Sequence, residues 1–110
     1  MDNYTTRPIE EINKVDFKGI LTNKENSIST HALDHLSEKQ RKVFKEEELV
    51  NMIEKESPRK IYLQFNGRYA AYYRKPEGYL KLILEVDDKK ITIVTFINIL
   101  EIPKLDIKNE

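Results

Sequence analysis

The chain has 110 residues, enough for one domain with one hydrophobic core. Nineteen Lys and Arg balance nineteen Asp and Glu, so no global positive field draws the chain to nucleic acid, and any such contact must rest on local charge. The absence of cysteine excludes disulfide scaffolds, Cys-zinc sites and thiol catalysis, and fits a reducing cytoplasm.

In chain order, residues 1–14 are polar, contain Pro8, and read as an irregular arm with a helical turn near Ile9–Ile12. Val15 to Leu21 alternates imperfectly, as a short strand would. Asn23–Ser29 reads as a polar loop. Ser29 and Thr30 are good N-caps for a helix carrying His31, Ala32, Leu33, Asp34, His35 and Leu36. Ser37-Glu38-Lys39-Gln40 has capping-box form, so that helix either restarts at Ser37 or continues to Phe44. Glu46–Glu56 is the best helical pattern. Leu49, Val50, Met52 and Ile53 form its apolar stripe, and three glutamates sit at the N-terminal end where the helix dipole favours anions. Ser57-Pro58 ends it.

From residue 60 the period changes to two. Ile61, Leu63 and Phe65 alternate with Tyr62, Gln64 and Asn66, and Asn66-Gly67 predicts a type I′ hairpin turn. Arg68–Arg74, Tyr79–Val86 and Lys90–Ile99 follow as strands, separated by Lys75-Pro76-Glu77-Gly78 and Asp87-Asp88-Lys89. The expected fold is α+β, with N-terminal helices packed on a four-stranded antiparallel β-meander. Residues 1–26 form an arm with a possible short strand, 27–103 a single α+β domain, and 104–110 a polar tail. The opening residues start no signal sequence, and no apolar run approaches the ~20 residues that span a bilayer, so no membrane partner is expected.

Two constellations can carry chemistry. His31 and His35 stand four apart, on one face of the expected helix, and imidazole titrates near neutrality, where acid-base catalysis needs it. As metal ligands they would be half a site, because a third ligand and an adjacent Glu are missing, so the expectation is no metal and no cofactor. A bland reading, a histidine pair without a role, competes. The second constellation is Arg68 to Lys75, where Tyr69, Tyr72 and Tyr73 interleave with Arg74 and Lys75. Aromatic faces stack on unpaired bases and cations grip phosphate. Its bland alternative is tyrosines that pack a sheet. Thr95 is a hydroxyl in an otherwise apolar strand. Three glycines leave no glycine-rich phosphate loop.

The order of these pieces, a helix opening Thr30-His31-Ala32, a basic stretch with Arg41, then Phe44-Lys45-Glu46-Glu47-Glu48-Leu49, then strands ending Ile93-Val94-Thr95-Phe96, resembles the assembly of small nucleases that groups barnase, EndoU, colicin nucleases and RelE, in its phage and polymorphic-toxin forms. The similarity covers roughly residues 27–100. It implies a metal-independent endoribonuclease of toxin type, active in the cytoplasm of the producing or target cell, with RNA (tRNA among the candidates) as substrate and an inhibitory immunity or antitoxin protein as partner. His31 matches the family's helix histidine and Thr95 its last-strand hydroxyl. Arg68 and Lys81 are candidate cations, with His35, Tyr72, Tyr73, Arg74 and Lys75 as substrate contacts. The implied reaction is attack of the ribose 2′-oxygen on phosphorus, giving a 2′,3′-cyclic phosphate. The neutral net charge departs from the family's basic surface. A non-catalytic phage or host-interaction module, or an immunity or antitoxin protein, are the other expectations.

Overall fold

The computed structural model describes residues 6–29 and 46–104. In these, eight elements follow one another: β1 (Pro8–Glu11), α1 (Lys14–Leu21), β2 (Glu25–Ile28), α2 (Glu46–Lys55), β3 (Lys60–Gln64), β4 (Tyr69–Lys75), β5 (Gly78–Val86) and β6 (Lys90–Ile99). The six strands form one sheet in the order β1-β3-β4-β5-β6-β2. All neighbours are antiparallel except β2, which runs parallel to β6.

This overturns the expected N-terminal helices on a four-stranded antiparallel meander. The described chain is mostly sheet, six-stranded and mixed, with two short helices. The expected helix from Ser29–Thr30 to Phe44, including both histidines, lies outside the described residues. The added strands come from the polar N-terminal part, and the proposed boundary at residue 26 falls inside β2. Both are edge strands, which pair on one side and need no apolar alternation. Pro8 suits such an edge because it has no N–H to give to a ladder. A register shift between Pro8 and Glu10 bends β1.

The stretch read as a short strand, Val15–Leu21, is helical. Asn13 caps it: its side-chain carbonyl accepts from the Asp16 N–H at 2.8 Å, while its amide donates to the Asp16 carboxylate at 2.9 Å. The first bond is the usual N-cap bond to the N3 N–H, and the second ties the two side chains together. Thr22 closes the other end, its hydroxyl donating to the Lys18 carbonyl at 2.7 Å. Asn13→Ala is expected to destabilise the fold by about 1 kcal/mol, read as a lower urea midpoint at unchanged slope. An unchanged midpoint would mean that the cap contributes nothing.

Asn66-Gly67 does not form a type I′ turn, which requires positive φ at both central residues. Only Gly67 is left-handed, at φ 88°. Gly67 N–H donates to the Gln64 carbonyl and Gln64 N–H to the Arg68 carbonyl, closing the longer loop in which a turn is followed by one left-handed residue.

Alternation along the strands builds two cores. On one face Ile61, Ala71, Tyr73, Leu80, Leu82, Leu84, Ile91 and Ile93 meet Phe17 of α1 and Leu49, Met52 and Ile53 of α2. The Phe17 and Tyr69 rings lie 6.1 Å apart. On the other face Tyr62, Ala70, Tyr72 and Ile83 are buried, with Val94, Ile99 and Ile102 against them. The Tyr62 and Tyr72 rings meet edge to face at 5.7 Å. The chain after β6 returns over this second face, where the Tyr62 hydroxyl donates to the Pro103 carbonyl at 2.9 Å. No helix among the described residues is long and apolar enough to cross a membrane.

Candidate functional site

Strand pairing fixes which sequence-predicted residues share a face. Tyr72 pairs with Lys81 and Lys81 with Ile97; Ala70 pairs with Ile83 and Ile83 with Thr95. Side chains two apart on a strand point the same way, and paired residues share a face. Lys81 and Thr95 are therefore diagonal neighbours on the second face. A bulge between Ile83 and Leu84 inserts Val94 opposite no partner, which keeps Thr95 on that face after Thr92.

Lys81 is half-buried and makes no ion pair among the described residues. Its ammonium sits 5.8 Å from the centroid of the Tyr72 ring. Burial holds its pKa below the usual lysine value, because the charged form is partly desolvated. A half-buried lysine without a carboxylate is unusual, and such groups collect at functional sites.

Arg68 reaches the same face but is engaged. Its Nε and Nη2 both lie 3.2 Å from one Glu85 carboxylate oxygen. Arg74 donates to the Tyr79 hydroxyl at 3.3 Å, with its guanidinium 5.4 Å from that ring. Lys60 bridges to Glu11 at 3.2 Å. The second face thus carries cations from three neighbouring strands around a small apolar centre.

The tyrosine-cation hairpin does not converge. Tyr72 and Arg74 lie on the second face, while Tyr73 and Lys75 lie on the helix-covered one, where Lys75 reaches Glu56 at 3.8 Å. Tyr72 and Tyr73 are 2 % and 1 % exposed, so their rings belong to the two cores and are not offered to a base. Burial pushes the Tyr72 hydroxyl up to about 12, with the neighbouring Tyr62 adding to it. Burial also raises Tyr73, and the Glu56 carboxylate adds to the effect. His31 and His35 lie outside the described residues.

One concave site escaped the sequence. A half-open cleft of about 530 Å³ lies between α1, the end of α2, β2 and the first face of the sheet. Phe17, Leu21, Ile53 and Ile91 supply apolar wall, and Lys14, Lys18, Lys24 and Lys55 supply cations. Nothing in the sequence announced it, because its parts lie far apart in the chain. Among the described residues, no group of three or more His, Cys, Asp or Glu is placed to hold a metal.

No protein-family model, curated protein or solved structure matches this chain. The nuclease resemblance therefore stands on the residues quoted for it.

Proposed function

We propose that the chain is a metal-independent ribonuclease of toxin type, acting in the cytoplasm, with its phosphate-binding residues on the second face of the sheet. The supporting observation is Lys81, a partly desolvated cation with no carboxylate partner among the described residues, on the same face as Thr95. In this reaction His31 removes the proton from the ribose 2′-OH. The 2′-oxygen bonds to phosphorus as the bond to the 5′-oxygen breaks and that oxygen takes a proton from water, leaving a 2′,3′-cyclic phosphate and a 5′-hydroxyl. Lys81 stabilises the charge on the phosphoryl oxygens and Thr95 donates a hydrogen bond to one of them. Such stabilisation is strongest where water is excluded, as around a half-buried ammonium. Arg68 contributes once the phosphate competes it away from Glu85. An acidic immunity or antitoxin partner would suit the acid-free stretch from residue 58 to 75.

A non-catalytic binding module is the second reading, favoured by the Arg68–Glu85 pair and by the burial of Tyr72 and Tyr73, which leaves few aromatic faces to stack on bases. Incubation with bulk tRNA and total RNA in excess EDTA separates the two. Wild type is expected to cleave, Lys81→Met to lose about 100-fold in rate, and His31→Ala to lose cleavage. Lys81→Met keeps an unbranched side chain at this half-buried position, so its fold is expected to hold. Full activity in Lys81→Met would remove Lys81 from the site. No cleavage by folded wild type would leave the binding module.

A further inference from the structure

The cleft beneath the helices lies on the opposite side of the sheet from Lys81 and Thr95, and the proposed RNA chemistry does not use it. Two residues at its wall carry polar atoms left unsatisfied by the described residues. The Tyr73 hydroxyl and the Asn26 side-chain oxygen are both buried without a hydrogen-bond partner among them. Both residues line this cleft, and Tyr73 is 1 % exposed. A buried hydroxyl or amide oxygen without a partner loses its hydrogen bonds to water and gains none in return, which is destabilising. Two such groups in one cleft are a liability to the empty protein, and a ligand that satisfies them removes it.

The surroundings define what that ligand carries. The acids of the cleft are already engaged: Glu54 accepts from the Asn26 amide at 3.1 Å, and Glu56 faces Lys75 at 3.8 Å. Lys14, Lys18 and Lys55 make no ion pair among the described residues. Lys14 and Lys18 stand one turn apart on α1, so both present their charge to the same rim. The rim therefore attracts an anion. Asn26 Oδ1 can only accept, so the ligand must bring an N–H or O–H donor. Its apolar walls require a body that loses little by leaving water. The volume, about 530 Å³, falls within the range of pockets for small organic molecules.

We infer that this cleft binds a small organic anion with a flat, N–H-bearing body, the chemistry of a mononucleotide, its phosphate held at Lys14 and Lys18 and its donor edge turned to Asn26 and Tyr73. The base edge supplies the donor that Asn26 lacks. The Tyr73 hydroxyl, free to donate or accept, takes whichever ring atom adjoins it. A free phosphate would reach the lysines and leave both oxygens unsatisfied.

Isothermal titration calorimetry with AMP, GMP, CMP and UMP, with the matching nucleosides and with inorganic phosphate, tests the inference on the full chain. At least one mononucleotide is expected to bind, and more tightly than its nucleoside or phosphate alone. Tyr73→Phe provides a second readout, because it deletes an unsatisfied hydroxyl and keeps the ring. It is expected to leave the empty protein as stable as wild type or more so, while weakening the nucleotide about tenfold. Lys14→Ala with Lys18→Ala is expected to lower affinity for the nucleotide and leave the nucleoside unaffected. Equal binding by wild type and Tyr73→Phe would overturn the inference, as would phosphate binding as tightly as the nucleotide, or no binding of any mononucleotide by folded protein.

Discussion

Gly78→Ala is expected to destabilise the protein by roughly 2–4 kcal/mol, far more than the same change at Gly67. Both glycines are left-handed, at φ 92° and 88°, so both substitutions carry the backbone strain of a side chain in that region. They differ in what the new methyl meets. At Gly67 nothing lies within 4 Å. At Gly78 the added Cβ would overlap the Ile99 carbonyl oxygen and stand 3.1 Å from the Leu100 Cα. Both are backbone atoms, so no side chain can rotate aside. Gly78 opens β5, and its neighbour Tyr79 pairs with Ile99, so relief would part the last rung of the β5–β6 ladder. Urea unfolding of the two variants measures the difference. Equal losses at the two glycines would show that β5 and the end of β6 do not approach so closely.

The same alternation that makes the strands legible also limits how they can be used, and the candidate site turns on this. Tyr72 and Tyr73 are adjacent in a strand, and so are Arg74 and Lys75. Period-two geometry sends neighbours to opposite faces, so these residues could not all have gripped one RNA. By the same rule Tyr79, Lys81, Ile83 and Glu85 share a face, and the half-buried place of Lys81 was implicit in its flanking apolar residues. The strands from Ile61 to Ile99 and the helix around Leu49 to Ile53 were legible because they bury regular stripes.

The N-terminal part was not, for two different reasons. In α1 Val15, Phe17, Ile20 and Leu21 are apolar, but Phe17 alone is fully buried and Val15 is exposed, so the apolar pattern does not trace one buried stripe. The signal lay in the cap, Asn13-Lys14-Val15-Asp16, with an acid three residues after an Asn. β2 is polar at three of its four positions, and its pairing with β6 joins residues about 65 apart in sequence, a contact no local pattern encodes. The orphaned oxygens of Tyr73 and Asn26 belong to the same class of information. Whether a buried hydroxyl finds a partner depends on elements that meet only in three dimensions.

Alkaline pH is expected to weaken the fold steeply, through Tyr72 and Tyr73. In the unfolded chain a tyrosine loses its proton near pH ~10. In the folded protein burial holds the Tyr72 proton up to about 12. Between these values the unfolded chain binds fewer protons than the folded one, so stability falls as pH rises, by about 1.4 kcal/mol per pH unit for each such group. The contribution is fully present below pH ~10 and is lost as pH rises through about 12, some 2–3 kcal/mol from Tyr72 alone. Tyr73, raised by burial and by Glu56, acts in the same direction. Lys81 opposes them at the start of the window: its folded pKa is lowered, so below the ordinary lysine value the unfolded chain binds the extra proton and stability rises with pH. Two tyrosines against one lysine give a net loss. Urea midpoints for wild type and Tyr72→Phe, measured at about pH 9, 10 and 11, are expected to diverge, with the variant losing stability less steeply. Parallel decline would mean that Tyr72 titrates as an exposed phenol, and would unseat it from the second core.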